Sequence, residues 1–351
     1  MSDTTRRQLP TLAARAVTQA HGGGGKAMKD LIDDVFVREF TALPEVLEDQ
    51  ARLELAELAC LGDRLAMTTD GFVVDPLFFP GGDIGKLAVC GTVNDLAVGG
   101  AHPRYLSCAV ILEEGLPIDD MRRIAHSMAT AAREAGVEIV TGDTKVVERG
   151  ACDGVFITTT GIGVIPAERK LGIERIQADD VIIVNGWLGD HGAAILAARG
   201  DLSLDTDLES DCASLNGLIE ALLAAAPDTR CLRDATRGGV ATVLNEMAEA
   251  SRLAIELDDL ALPLRKEVRG MCEILGLDPL YLANEGKLVA VVPAAQAEAA
   301  LAALRGHPLG KQAAIIGQAL DGKPGRVTLR TGFGGQRIVD MLVGEQLPRI
   351  C

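Results

Sequence analysis

Val137-Glu138-Ile139-Val140-Thr141-Gly142-Asp143-Thr144-Lys145 is the stretch whose reading decides the fold class. Its β-branched run, Val137 to Thr141, reads as a strand that ends in Gly142-Asp143. Gly136, just before it, stops a helix. That helix is expected to take Asp119 as its N-cap and to bury Ile124 and Met128 on one face. Working outward, residues 64–75, 104–112 and 156–164 read as strands, and 85–99 as a helix of small side chains. Pro166 to Asp180 reads as a connector. A second unit opens with the strand Val181–Asn185. It continues with a helix capped by Thr236, a strand Lys287–Val292, a helix over 294–305, and strands near 313–317 and 326–330. Strands and helices interleave without strict alternation. The expected fold is therefore two α/β (α+β) domains with mixed sheets, not one doubly wound sheet.

Four units follow from this order. Residues 1–19 read as a disordered extension, 20–165 as the first domain, 166–340 as the second, and 341–351 as a mobile tail. The chain has 351 residues, 48% hydrophobic, with a formal charge of −16. Such an acidic surface argues against a nucleic-acid partner. No apolar run has the length of a membrane span. The eight cysteines form no C-x-x-C pair and show no zinc spacing. They read as small buried hydrophobes of a reducing, cytoplasmic compartment, with Cys351 as the one expected at the surface.

Chemistry-bearing residues recur beside glycine. Asp70 follows Thr68-Thr69, Asp95 follows Asn94, Asp143 precedes Thr144-Lys145, and Asp49 lies in Glu48-Asp49-Gln50. Carboxylates at strand ends of α/β proteins hold ligands, and several could share magnesium ions on a polyphosphate; a turn or cap is the ordinary role of any one alone. His21-Gly22-Gly23-Gly24-Gly25-Lys26 is a loop that a ligand could order. Neither Gly25-Lys26 nor Gly85-Lys86 completes a P-loop, so ATP binding would rest on metal bridging and backbone amides. Asp234-Ala235-Thr236-Arg237-Gly238-Gly239 reads as a helix entry open to an anion, with Arg237 as a positive fork, or as an ordinary capped start. Glu285, in Asn284-Glu285-Gly286-Lys287, reads as a turn residue or a general base. The sequence ends Leu347-Pro348-Arg349-Ile350-Cys351, a thiol on an arm stiffened by Pro348.

Together, the stretch Asp75–Ala88, Gly142–Val147, Asp234–Gly239 and Pro348–Cys351 resemble the HypE family of hydrogenase maturation factors, the carbamoyl dehydratases. The resemblance runs from about residue 20 to the end. That family sits in the superfamily of aminoimidazole ribonucleotide synthetase, selenophosphate synthase and thiamine-phosphate kinase, two-domain α/β dimers that bind ATP. The resemblance implies ATP and Mg2+ as cofactors. It implies Asp49, Asp70, Asp95 and Asp143 as magnesium carboxylates, with Thr69, Asn94, Thr144, Asp234 and Arg237 beside the nucleotide. It implies a loop containing Gly23, Gly24 and Lys26 that closes on ATP. Cys351 would receive a carbamoyl group from HypF, Lys145 and Glu285 would assist its dehydration, and a HypC–HypD scaffold would accept the cyanide. A homodimer is implied too. Two other readings remain: an ATP-dependent kinase or amidine-forming synthase acting on a free small molecule, and a cysteine-tailed carrier that only docks partners.

Overall fold

Thirteen strands and nine α-helices are present among the described residues, which are 11–40, 48–200, 207–344, 347 and 349–351 of a computed structural model. Residues 1–10 of the expected extension, and Pro348, lie outside them. Helix α1 (Lys26–Ile32) runs on into a short π-turn, and α2 (Leu55–Ala59) is brief. β1 (Arg64–Phe72), β4 (His102–Glu113), β5 (Glu138–Val147) and β6 (Val155–Ile165) form a sheet in the order β1-β6-β4-β5, and β2 (Phe78–Phe79) pairs with β3 (Gly82–Asp83). Helices α3 (Ile84–Val98) and α4 (Ile118–Ala135) cover one face of the larger sheet.

The second unit is a mixed seven-stranded sheet, with α5 (Asp190–Arg199), α6 (Asn216–Ala225), α7 (Gly239–Ser251), α8 (Lys266–Leu275) and α9 (Ala297–Gly306) packed about it. Its strands are β7 (Val181–Val184), β8 (Cys231–Asp234), β9 (Ala254–Asp258), β10 (Leu288–Val292), β11 (Ala314–Leu320), β12 (Val327–Arg330) and β13 (Gln336–Ile338), in the order β13-β12-β9-β11-β7-β10-β8. Only β12–β9 is parallel there, and only β4–β5 in the first sheet.

α3 is the pivot. Asp83 caps it, accepting from the N–H groups of Gly85 and Lys86 at 2.7 and 3.0 Å. Nearly every residue is buried, because the helix lies between the first sheet and the second domain. A Cβ on Gly85 would stand 2.5 Å from the Ile124 carbonyl oxygen, so glycine is what lets α3 and α4 approach.

Several expectations need correction. α4 starts two residues earlier than Asp119 as its cap would allow, with Pro117 in the cap position; Asp119 sits in the first turn and pairs with Arg122 instead. β1 ends at Phe72, short of the expected 75 and with Asp70 inside it, and β5 does not stop at Gly142-Asp143 but runs through them. Gly142 is there for close approach, since a Cβ would lie 2.2 Å from the Cys108 carbonyl oxygen. Gly238 and Gly239, at φ 76 and 60, form the turn into α7, so Thr236 does not cap it. The stretch before residue 20 is docked where it is described: Val17 is buried and exchanges backbone hydrogen bonds with Gly115 and Leu116. Cys60, not Cys351, is the fully exposed cysteine.

Candidate active site

The register of the first sheet sorts the aspartates. Asp70 pairs with Thr159, Thr159 with Cys108, and Cys108 with Gly142, so these four form one row across the sheet. Residues paired across strands share a face. Thr159 donates its hydroxyl to the Ala88 carbonyl of α3, which places the row, and Asp70, on the helix-covered side. Asp143 is one residue past the row and points to the opposite side, as does Thr69, which accepts from Thr160 at 3.0 Å. Three strand spacings, about 14 Å, also separate the edges. One chain therefore does not bring Asp70 and Asp143 together.

On the inner side stands a carboxylate group built from both domains. Asp95, on α3, accepts from the Thr68 hydroxyl at 2.8 Å and hydrogen-bonds to the Asp70 carboxyl. Burial first, then Asp95, pushes Asp70 up to about 6, while Arg237 pulls it back. Burial and the same neighbours push Asp234 up to about 7. Asp95 and Asp234 line a cavity of 410 Å3 with Thr68, Leu96 and Arg233. Glu285 is buried beside them, with Oε1 lacking a partner. Burial, then Asp211, Asp234 and Asp70, holds it well above the usual carboxylate range.

On the outer side, Asp143 and Lys145 form an exposed ion pair at 2.6 Å. Asp143 and Thr144 line a second cavity, of 450 Å3, between the edge of β5, α1 with its π-turn, and residues 48–57. Asp49 is exposed, between two residues of that lining, Glu48 and Gln50. The glycine loop abuts the same strand, Gly22 standing against Val146. Gly24 takes φ 76 in open space, and Lys26 pairs with Asp30. Asn94 is buried, donating to the Ala213 carbonyl and accepting from Leu215 N–H.

A divalent cation fits this chemistry. Among the described residues no preformed cage of three or more ligating side chains exists. Mg2+, however, uses one or two carboxylates plus substrate phosphates. The Asp70–Asp95 pair, in which burial and then the neighbouring Asp95 raise Asp70, is such a donor set.

The tail is docked, although its mobility was expected. Ile350 is buried in the first domain's core, and Arg349 pairs with Asp153 at 2.8 Å and Asp75 at 3.6 Å. Sequence reasoning missed what receives it. His191, at the start of α5, reaches the Ile350 carbonyl oxygen at 2.7 Å, and Arg199 donates to that of Arg349. Asp211 was missed as well. It accepts from the N–H groups of Glu285 and Gly286 and from Lys287.

The AIR synthase related protein family matches the chain in both parts, its N-terminal domain over residues 48–165 and its C-terminal domain over 177–330. Carbamoyl dehydratase HypE of Rhodobacter capsulatus is 63% identical over 335 residues, 95% of this chain and 98% of its own. The crystal structure of the hydrogenase maturation protein HypE in complex with ATP superimposes with a TM-score of 0.89, at 50% identity over 95% of this chain and 99% of that one. A chain of a HypE–HypF complex does so with 0.77, at 50% identity over 79% of this chain and 90% of that one. Both domains are matched, and the relatives agree with this chain over nearly their full length: the chain belongs to the carbamoyl dehydratase HypE family of AIR synthase related proteins.

Proposed function

We propose that the protein converts a thiocarbamate carried on Cys351 into a thiocyanate at the expense of ATP, supplying cyanide ligands for the iron of a [NiFe]-hydrogenase. The observation that carries this reading is the terminal cysteine, seated by its own tail in a protein whose two domains share a carboxylate cluster. A thiocarbamate, Cys–S–C(=O)–NH2, loses its oxygen only if that oxygen becomes a good leaving group. ATP supplies this by phosphoryl transfer to the oxygen, where positioning and charge neutralisation do most of the catalysis. Loss of phosphate and of the two N–H protons leaves Cys–S–C≡N.

Asp70 and Asp95 would hold Mg2+ against the phosphates, with Asp234 and Arg237 at the same mouth. Asp143 and Thr144 line the second cavity, Asp49 lies between two of its lining residues, and the loop with Gly23, Gly24 and Lys26 would close from beside β5. The outer sheet face between the two edges exposes Leu65, Met67 and Ile111. That apolar face supports a homodimer in which a second copy covers it and brings inner and outer sets into one nucleotide site. Glu285, its carboxylate made basic by burial, is suited to take the amide proton, and Lys145 to steady the departing phosphate. HypF is the carbamoyl donor, as the HypE–HypF complex supports. A HypC–HypD scaffold would accept the cyanide, in the cytoplasm.

Intact mass spectrometry tests this. Incubated with HypF, carbamoyl phosphate and Mg-ATP, Cys351 should gain a carbamoyl group and then lose one water. ATP consumed on a free substrate, with no adduct on Cys351, would establish the small-molecule synthase instead.

A further inference from the structure

His191 is fully buried, and both of its ring nitrogens are engaged. The Ile350 carbonyl oxygen can only accept, so Nε2 carries the proton and donates at 2.7 Å. Nδ1 lies 2.8 Å from the Ser210 hydroxyl. That hydroxyl already accepts from Cys212 N–H at 3.1 Å, so its own proton is directed at Nδ1. The chain of donors has one polarity: Cys212 N–H to Ser210, Ser210 O–H to His191, His191 N–H to the tail. Phe79 meets the ring edge-on at 5.6 Å between centroids.

The next residue, Asp211, fixes the other partner in the reaction. Its two oxygens accept from the N–H groups of Glu285 and Gly286 at 3.0 and 3.1 Å. The docked tail and the loop of the proposed base therefore hang from adjacent residues of one segment. At the tail itself, Val73 N–H donates to a main-chain oxygen of Cys351 at 3.1 Å. With the main-chain oxygens before and after its α-carbon held, χ1 is the torsion left to place the sulfur of Cys351.

We propose that His191, Ser210 and Asp211 are positioning residues for the dehydration step, docking the carrier tail by its Ile350 carbonyl and presenting Glu285 to it from the same segment. This rests on the carrier reading above. It goes beyond that reading in naming what holds the thiocarbamate against the base. An ordinary buried histidine would serve the fold alone.

The test compares His191→Leu with His191→Gln in the full-length protein. Gln keeps one N–H for Ile350 and one oxygen for Ser210. Two readouts are taken: the alkylation rate of Cys351 by a maleimide, resolved from Cys60 by peptide mapping, and single-turnover dehydration of the carbamoylated protein. Leu should raise alkylation and slow dehydration by roughly tenfold each, the worth of one buried hydrogen bond. Gln should restore both. Ser210→Ala should move both readouts the same way, which keeps the test decisive if the Leu variant fails to fold. Unchanged alkylation and dehydration in the Leu or Ala variant, or Gln as impaired as Leu, overturns the proposal. If wild-type Cys351 takes no carbamoyl group, the carrier reading fails, and alkylation alone then judges whether His191 docks the tail.

Discussion

Asp70 and Asp95, one on β1 and one on α3, hydrogen-bond to each other carboxyl to carboxyl, and Asp70 sits at about 6 as a result of burial and that neighbour. The neighbouring Asp95 charge disfavours ionisation of Asp70. Their contact favours a cation and disfavours the empty site. Asp95→Asn should therefore raise the melting temperature of the metal-free protein, since an amide still accepts from Thr68 and no longer repels Asp70. The same variant should lose ATP turnover by about a hundredfold or more, the scale of removing a preorganised electrostatic contact. Thermal melts and phosphate release, measured with and without Mg2+, check both. A variant that melts lower and still turns over ATP would remove the pair from the site.

Asp234 gives a pH dependence with a definite sign. Its folded-state pKa is raised from 3.8 to about 7, chiefly by burial and then by Asp95. The folded state holds that proton more tightly than the unfolded chain does. The contribution to stability is fully present below 3.8 and is lost as pH rises through about 7. Melting temperature of the metal-free protein should carry a falling component across that window, and Asp234→Asn should abolish it. Parallel curves for the two proteins would show that the carboxyl is not strained.

Much of this architecture is legible in the sequence, and the reasons for the gaps are local. The strand around Ile139 and the small-residue helix from Lys86 are set by β-branching and periodicity, which tertiary contacts do not override here. Gly142 misled because a glycine in a strand marks either its end or a close backbone approach. Only the neighbouring Cys108 carbonyl, 2.2 Å from a would-be Cβ, decides which. The same ambiguity placed Asp70 and Asp143 at strand ends and hid that they face opposite ways. His191 and Ile350 are separated by 159 positions, and Asp211 and Glu285 by 74. No periodicity links such residues, because their contacts exist only in the folded chain.

The charged end of the tail should matter little by comparison with its buried part. Arg349 pairs with Asp153 and Asp75, all three side chains being a third or more exposed. Pairs of that kind contribute about 0.2–1 kcal/mol and are screened by salt. Arg349→Ala should raise the Cys351 alkylation rate by about two- to fivefold in dilute buffer. The difference from wild type should vanish in roughly 1 M salt, where the Debye length is about 3 Å. A salt-independent effect would assign the contribution of Arg349 to packing instead.

Lys287 presents the opposite case. Its ammonium lies 2.8 Å from Asp211, with side-chain exposures of only 10% and 4%. Despite complete burial, Asp211 stays below the usual carboxylate range because Lys287 and two backbone N–H groups favour its charge. Removing one partner of a buried pair leaves an uncompensated charge, at a cost of about 3–5 kcal/mol. Lys287→Met should therefore lower the urea midpoint sharply at neutral pH. Asp211→Asn on top of it should recover part of the loss, since the amide keeps an acceptor for one N–H and needs no counter-charge. Activity should not recover with stability, because Asp211 also sets the loop of Glu285. Full return of dehydration in the double variant would separate that loop from the proposed base.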